Sequence, residues 1–250
     1  MVKKSNSDLK LKNKLLKISK EIEKLFKVER QESSNPLNIL IATILSQNTN
    51  DVNSHRAFKN LKEKFSDYDS VLNANVGEIE KAIKIGGLAR QKAKRIKKLL
   101  LKLKEKRGNF DLSFLKDLSV DEGLKFLTSF EGVGLKTASC VLLFGFNKEV
   151  FPVDTHIHRI LNRVGIVKTK TPDETFLSVQ KLIPQGLAYH LHTGLIKFGR
   201  TICRAQNPLC GICPIYRICG FEKKNFYRKK SGKLKLIKSE NAEFILLNKV

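Results

Sequence analysis

Apolar residues recur along this chain at helical spacing, with lysines filling the positions between them. Leu11, Leu15, Ile18, Ile22, Leu25 and Phe26 trace one stripe, which predicts a helix over residues 9–28 with a single buried face. A polar break, QESSN, follows. Asn35 then stands before Pro36, the pairing of an N-cap with proline at the first helical position. The run LNILIATIL behind it is apolar on most faces, so that helix belongs at the centre of a core. Two later starts carry similar marks. Ser119 with Glu122, and Thr171 with Glu174 around Pro172, have the spacing of capping boxes. Alternating stretches are few. Val141 to Phe146 has a strand's composition but continues a helical pattern from Leu135. The fold class is therefore all-α, with no internal repeat.

Composition narrows the partner. The 250 residues hold 48 Lys and Arg against 24 acids, a net charge of +24. Such an excess favours a polyanion, most often nucleic acid, although a lysine-rich proteome would also produce it. Residues 81–107 concentrate it, with twelve Lys or Arg and one acid. Ile96, Leu99, Leu100 and Leu103 form one face there, which leaves the basic residues on the other. Such a face can be merely solvated; with a glycine hairpin suited to phosphate downstream at residues 131–134, its N-terminal part, near Arg90 and Lys92, reads as a DNA backbone contact. No stretch reaches the roughly 18 apolar residues of a membrane span. The basic N-terminus lacks the apolar run of a secretory signal. An intracellular protein, cytoplasmic and nucleoid-associated, is expected.

In that reducing setting disulfides are unlikely, yet four of the five cysteines fall within the 17 residues from 203 to 219. Six residues separate Cys203 from Cys210, two separate Cys210 from Cys213, and five separate Cys213 from Cys219. Clustered thiolates hold zinc or an iron-sulfur cluster. Zinc sites usually present two short knuckles; the one C-x-x-C here favours a cubane. Four ligands leave no open iron, so its role is structural. Cys140, inside ASCVLLF, reads as core.

Residues 119–146 predict helix, short turn, helix, the turn being Glu131-Gly132-Val133-Gly134. Glycines there permit backbone closed to other residues and leave amides bare at the second helix's start. Free donors and about half a positive charge suit a phosphate. A G-x-G alone also marks many ordinary turns; followed by Leu-Lys-Thr-Ala on a basic chain it is a helix-hairpin-helix candidate.

GVGLKTAS, FPVDTHIHRILNRVG and the Cys203–Cys219 spacing, together with NPLNILIATILSQNTND and FGRTIC, resemble the endonuclease III family of helix-hairpin-helix DNA glycosylases over roughly residues 35–220. The resemblance implies a nucleophilic lysine at Lys136, a catalytic aspartate at Asp154, hairpin glycines at Gly132 and Gly134, and a 4Fe-4S cluster on Cys203, Cys210, Cys213 and Cys219. It implies that Leu88 wedges into the gap left by an extruded base. The residue filling that gap is Asn48 by ungapped match, or Gln47 beside it. Three features depart from the family: Phe130 and Glu131 replace Leu-Pro before the first hairpin glycine, the gap-filling residue falls on Asn48 or Gln47, and only Arg204 is charged between the first two cysteines. They bear on substrate range.

The architecture so implied is a six-helix domain over 38–148, a cluster domain from 1–37 and 149–220, and a basic tail over 221–250 whose structure the pattern does not reveal. DNA would lie between the two domains, with Asp154 facing Lys136. A base buried in a duplex must be flipped out before its sugar can be attacked. An amine displaces the base and leaves a Schiff base, from which the 3′ phosphate is eliminated. Ordinary lysines, with pKa about 10.4, are almost wholly protonated at pH 7, so such an amine needs desolvation, a helix start or nearby cations. Asp154, ahead of Thr-His-Ile, also suits a plain N-cap. His156, His158 and His192 read as packing or DNA contacts. The expected function is base-excision repair of oxidised pyrimidines by a bifunctional glycosylase and abasic-site lyase, monomeric, acting on double-stranded DNA with a damaged base or abasic site. The alternatives are a monofunctional mismatch glycosylase, which usually lacks the lysine, and a non-catalytic DNA-binding protein.

Overall fold

Helix α1 (Val2–Glu23) opens the chain in a computed structural model that describes residues 2–28 and 35–231. Leu15, Ile18 and Ile22 are its buried stripe. The helix ends before Leu25 and Phe26, five residues short of the expected end. Among the described residues there is no strand: twelve α-helices and five short 3-10 turns carry the fold, as the all-α pattern requires. They form two compact units, residues 35–148 and residues 2–28 with 149–231.

The first unit holds seven α-helices. Helix α2 (Pro36–Ser46) is its centre, with eight of eleven residues buried. Asn35 starts it as expected, its Oδ1 accepting from the Leu37 and Asn38 amides at 3.0 and 3.1 Å. Around it lie α3 (Asp51–Lys64), α4 (Tyr68–Asn73), α5 (Val76–Ile83), α6 (Ala89–Arg107), α7 (Val120–Thr128) and α8 (Leu135–Phe146). Helix α8 packs along α2, where Gly145 lets Pro36 approach so closely that a Cβ would sit 3.3 Å from it. The Val141–Phe146 segment is thus helical. Ile96, Leu99, Leu100 and Leu103 are buried along α6, each such side chain stabilising by about 1.5–3 kcal/mol. Ser119 and Glu122 close a reciprocal capping box at α7.

The second unit holds α1 together with α9 (Thr155–Val164), α10 (Pro172–Val179), α11 (Ala188–Thr201) and α12 (Lys224–Ser231). Small residues let α1 and α9 close on α11. A Cβ on Gly194 would lie 2.7 Å from Ile22, and one on Gly199 would lie 2.9 Å from His156. At α10 only half of the expected box forms. Thr171 accepts from the Glu174 amide, but the Glu174 carboxylate takes the Lys170 amide instead of reaching back to the cap residue. Of the expected tail, residues 221–231 include α12; 232–250 lie outside the described residues.

Candidate functional site

The hairpin between α7 and α8 carries Gly132 at φ +81°, a left-handed conformation that favours glycine. Gly134 precedes α8 with ordinary angles and no side-chain cap. It is exposed, and an added Cβ would meet nothing within 4 Å. The first amides of α8 thus have no side-chain cap, as anion binding at a helix start requires. Lys136 sits on that first turn, half-buried. Glu131, the acid that departs from the family pattern, is exposed and bonded to Lys98 at 2.6 Å. Its carboxyl is pulled below the usual range, chiefly by that lysine.

Three chain segments meet near this turn. Gln47 ends α2; its Nε2 donates to the Gly132 carbonyl at 3.1 Å, and its Oε1 accepts from Arg95 at 3.1 Å. Asn48 next to it is left-handed, at φ 53°. Leu88, ahead of α6, is also left-handed, at φ 48°, and 53% exposed. An exposed leucine in that region is strained and out of the core, a combination found at functional positions. Arg90 is exposed on α6.

Lys92 is a correction. Helical spacing places it with the solvent-facing basic residues, but it is 1% exposed. Its Nζ donates to the carbonyls of Leu45 and Gly86 at 2.7 and 2.8 Å. Burial, and secondarily Arg95, lowers its pKa to about 8. A side chain so enclosed touches no phosphate.

In the other unit, Asp154 caps α9. Its Oδ1 accepts from the Ile157 amide at 2.8 Å. His158 pairs with Thr175 at 2.7 Å. His192 lies 2.9 Å from the Pro152 carbonyl, which can only accept, so Nδ1 carries the proton. His156 is half-buried, and burial lowers its pKa. Cys140 is core, as expected.

Cys203, Cys210, Cys213 and Cys219 lie half-buried around the 3-10 turns 210–212 and 216–218. Burial pushes the Cys203 thiol up, Cys210 to about 11 and Cys213 to about 12, and the other cysteines add to the shift. The four groups therefore feel one another, and thiolates so crowded need a cationic centre to neutralise them. Among the described residues no three His, Cys, Asp or Glu side chains are placed to hold one metal ion. Four thiol side chains within 17 residues are nonetheless the ligand type of an iron-sulfur cluster. The donor set fits an iron-sulfur cluster.

Two arginines on α9 support this loop. Arg163 donates to Cys203 Sγ at 3.6 Å and to the Arg204 and Ala205 carbonyls at 2.7 and 2.9 Å. Arg159 donates to the Cys203 carbonyl at 3.0 Å. Lys224 of α12 donates to the Cys219 carbonyl at 2.6 Å. Sequence reading missed these supports. The i, i+4 spacing of Arg159 and Arg163 behind VDTH was the available signal.

A bare helix start behind a glycine hairpin, in an all-α chain with a four-cysteine loop, defines the class of iron-sulfur helix-hairpin-helix proteins that act on DNA. The family model described as HhH-GPD superfamily base excision DNA repair protein matches residues 41–185, and that of the iron-sulfur binding domain of endonuclease III matches 203–219. Endonuclease III of Thermotoga maritima is 39% identical over 213 residues, covering 85% of this chain and 93% of that protein. A putative DNA glycosylase of Arabidopsis thaliana is 43% identical over 173 residues, covering 69% of this chain and 59% of that one. A solved non-covalent endonuclease III–DNA complex superposes with a TM-score of 0.74 at 30% identity, covering 86% of this chain and 98% of that one, and a trapped endonuclease III–DNA covalent intermediate gives the same values. The chain belongs to the HhH-GPD superfamily of base excision DNA repair proteins and, within it, to the endonuclease III family. It is a DNA glycosylase and abasic-site lyase that binds DNA and carries a 4Fe-4S cluster.

Proposed function

We propose that this enzyme removes oxidised pyrimidines from duplex DNA and then nicks the strand, with Lys136 as nucleophile. One observation carries the reading: Lys136 lies on the first turn of α8, directly behind the uncapped Gly134 start. A phosphate held there by amides would bring the adjacent sugar to the lysine. The Nζ lone pair attacks C1′, and the bond to the base breaks with its electrons leaving on the base, which takes up a proton. Ring opening leaves a protonated imine between Nζ and C1′. Loss of a C2′ proton then expels the 3′ phosphate, and water releases the amine. The carboxylate of Asp154 stabilises the positive charge that grows on the sugar and assists proton movement. The trapped covalent intermediate of a relative supports a covalent route.

Cys203, Cys210, Cys213 and Cys219 would hold the 4Fe-4S cluster, which cross-links the loop when bound. Their half-burial and the Arg163 contact support that assignment. Gly132, Gly134, Arg90, Gln47, Asn48 and Leu88 form the DNA contacts in this reading, within a domain over 38–148; residues 1–37 and 149–220 form the cluster domain. The enzyme works as a monomer in the cytoplasm, on duplexes bearing a damaged base or abasic site.

The test is borohydride trapping on a duplex with an oxidised pyrimidine. A covalent adduct is expected with the native protein and none with Lys136→Ala. Base release without an adduct from the native protein would replace this reading by a monofunctional glycosylase, and DNA binding with neither would reduce it to a DNA-binding protein.

A further inference from the structure

We propose that Lys92 is a positioning residue that fixes the two segments opening the duplex, an inference that rests on the assignment of Gln47, Asn48 and Leu88 to DNA. Its Nζ lies 2.7 Å from the Leu45 carbonyl and 2.8 Å from the Gly86 carbonyl. Leu45 is the penultimate residue of α2, two positions before Gln47. Gly86 is two positions before Leu88. One buried side chain thus ties together the roots of two segments that both turn left-handed, at Asn48 and at Leu88.

The ammonium tolerates this burial for a physical reason. The last carbonyls of a helix have no partner within it, and the Leu45 carbonyl belongs to that set. A cation there satisfies it and meets the negative end of the helix dipole. The bond to Gly86 then spends a second donor on the turn that presents Leu88. A methionine could fill the same space with less desolvation cost. What the lysine adds is the tether between the two backbones. Arg95, one turn further along α6, extends the tie, because it holds Gln47 Oε1 while Gln47 Nε2 holds the Gly132 carbonyl. The start of α6 therefore sets the spacing of three segments: the end of α2, the Leu88 turn and the hairpin.

Such a tether matters most where a stacked base must be displaced. An abasic nucleotide has no base to unstack, so its cleavage depends far less on the wedge. The experiment is single-turnover base release from an oxidised-pyrimidine duplex and cleavage of a preformed abasic site, on the cluster-loaded full chain. Native protein, Lys92→Met, Leu88→Ala and the double variant are compared, with thermal unfolding of each. Lys92→Met is expected to slow base release about 10- to 100-fold, the scale of an ångström-sized misplacement, and to change abasic cleavage no more than about threefold. Leu88→Ala should slow base release similarly, and adding Lys92→Met to it should cost little more, since both act through one wedge.

Equal losses in the two reactions, or multiplicative effects in the double variant, would overturn the proposal. A Leu88→Ala enzyme with native base release would instead remove the underlying assignment of Leu88. Lys92→Gln, which removes the charge and shortens the side chain, replaces Lys92→Met should the latter not fold. If neither folds, Lys92 serves the fold at large and the positioning role is lost.

Discussion

In the proposed reaction Asp154 would combine two roles that substitution can separate. Its Oδ1 accepts the Ile157 amide and starts α9, while its charge serves the sugar in the proposed reaction. Asparagine is as good an N-cap as aspartate, and alanine is not. Asp154→Asn should therefore unfold at nearly the native temperature yet release base far more slowly. Asp154→Ala should lose activity and also about 1 kcal/mol of stability. Calorimetry beside single-turnover base release decides it; native turnover in Asp154→Asn would leave the residue a cap and nothing more. The cap was legible because donor and acceptor are three positions apart. Lys92 was not legible, because its acceptor at Leu45 is 47 positions away.

Elements show the same division in the glycine hairpin. The two glycines look alike in the sequence, but the structure gives them different constraints. Gly132 is left-handed, and a Cβ there would meet Arg95 Cδ at 2.9 Å. Gly132→Ala should destabilise by at least about 1 kcal/mol, and displacing Arg95 would also disturb its bond to Gln47. Gly134 has ordinary angles and open space, so Gly134→Ala should cost no more than the exchange of glycine for alanine at an N-cap, about 0.5–1 kcal/mol. Its new methyl group would stand where a phosphate approaches the α8 amides, and DNA affinity should fall. Urea unfolding and fluorescence anisotropy measure the two effects. Unchanged affinity in Gly134→Ala would take the hairpin away from the DNA backbone.

At the scale of the whole molecule, the charge of +24 should make phosphate neutralisation a large part of duplex affinity. Each contacted phosphate should add about 0.9 to the log–log salt slope. Binding to undamaged duplex is expected to weaken steeply as salt rises, with Arg90→Gln lowering the slope by about one contact and Lys92→Met leaving it unchanged. A flat salt response would contradict a phosphate-dominated interface. The sequence by itself determined the all-α class, the Asn35, Ser119 and Asp154 helix starts, the glycine hairpin and the four-cysteine spacing. Each is written in residues a few positions apart, where covalent neighbourhood alone makes them meet. The tertiary structure alone decided which lysine leaves the solvent, what Gln47 holds, and which arginines support the cysteine loop. Those contacts join Gln47 to Gly132 across 85 positions, Arg95 to Gln47 across 48, and Arg163 to Cys203 across 40. Local periodicity places a side chain on a face of its own helix; only packing determines what the other helices bring to that face.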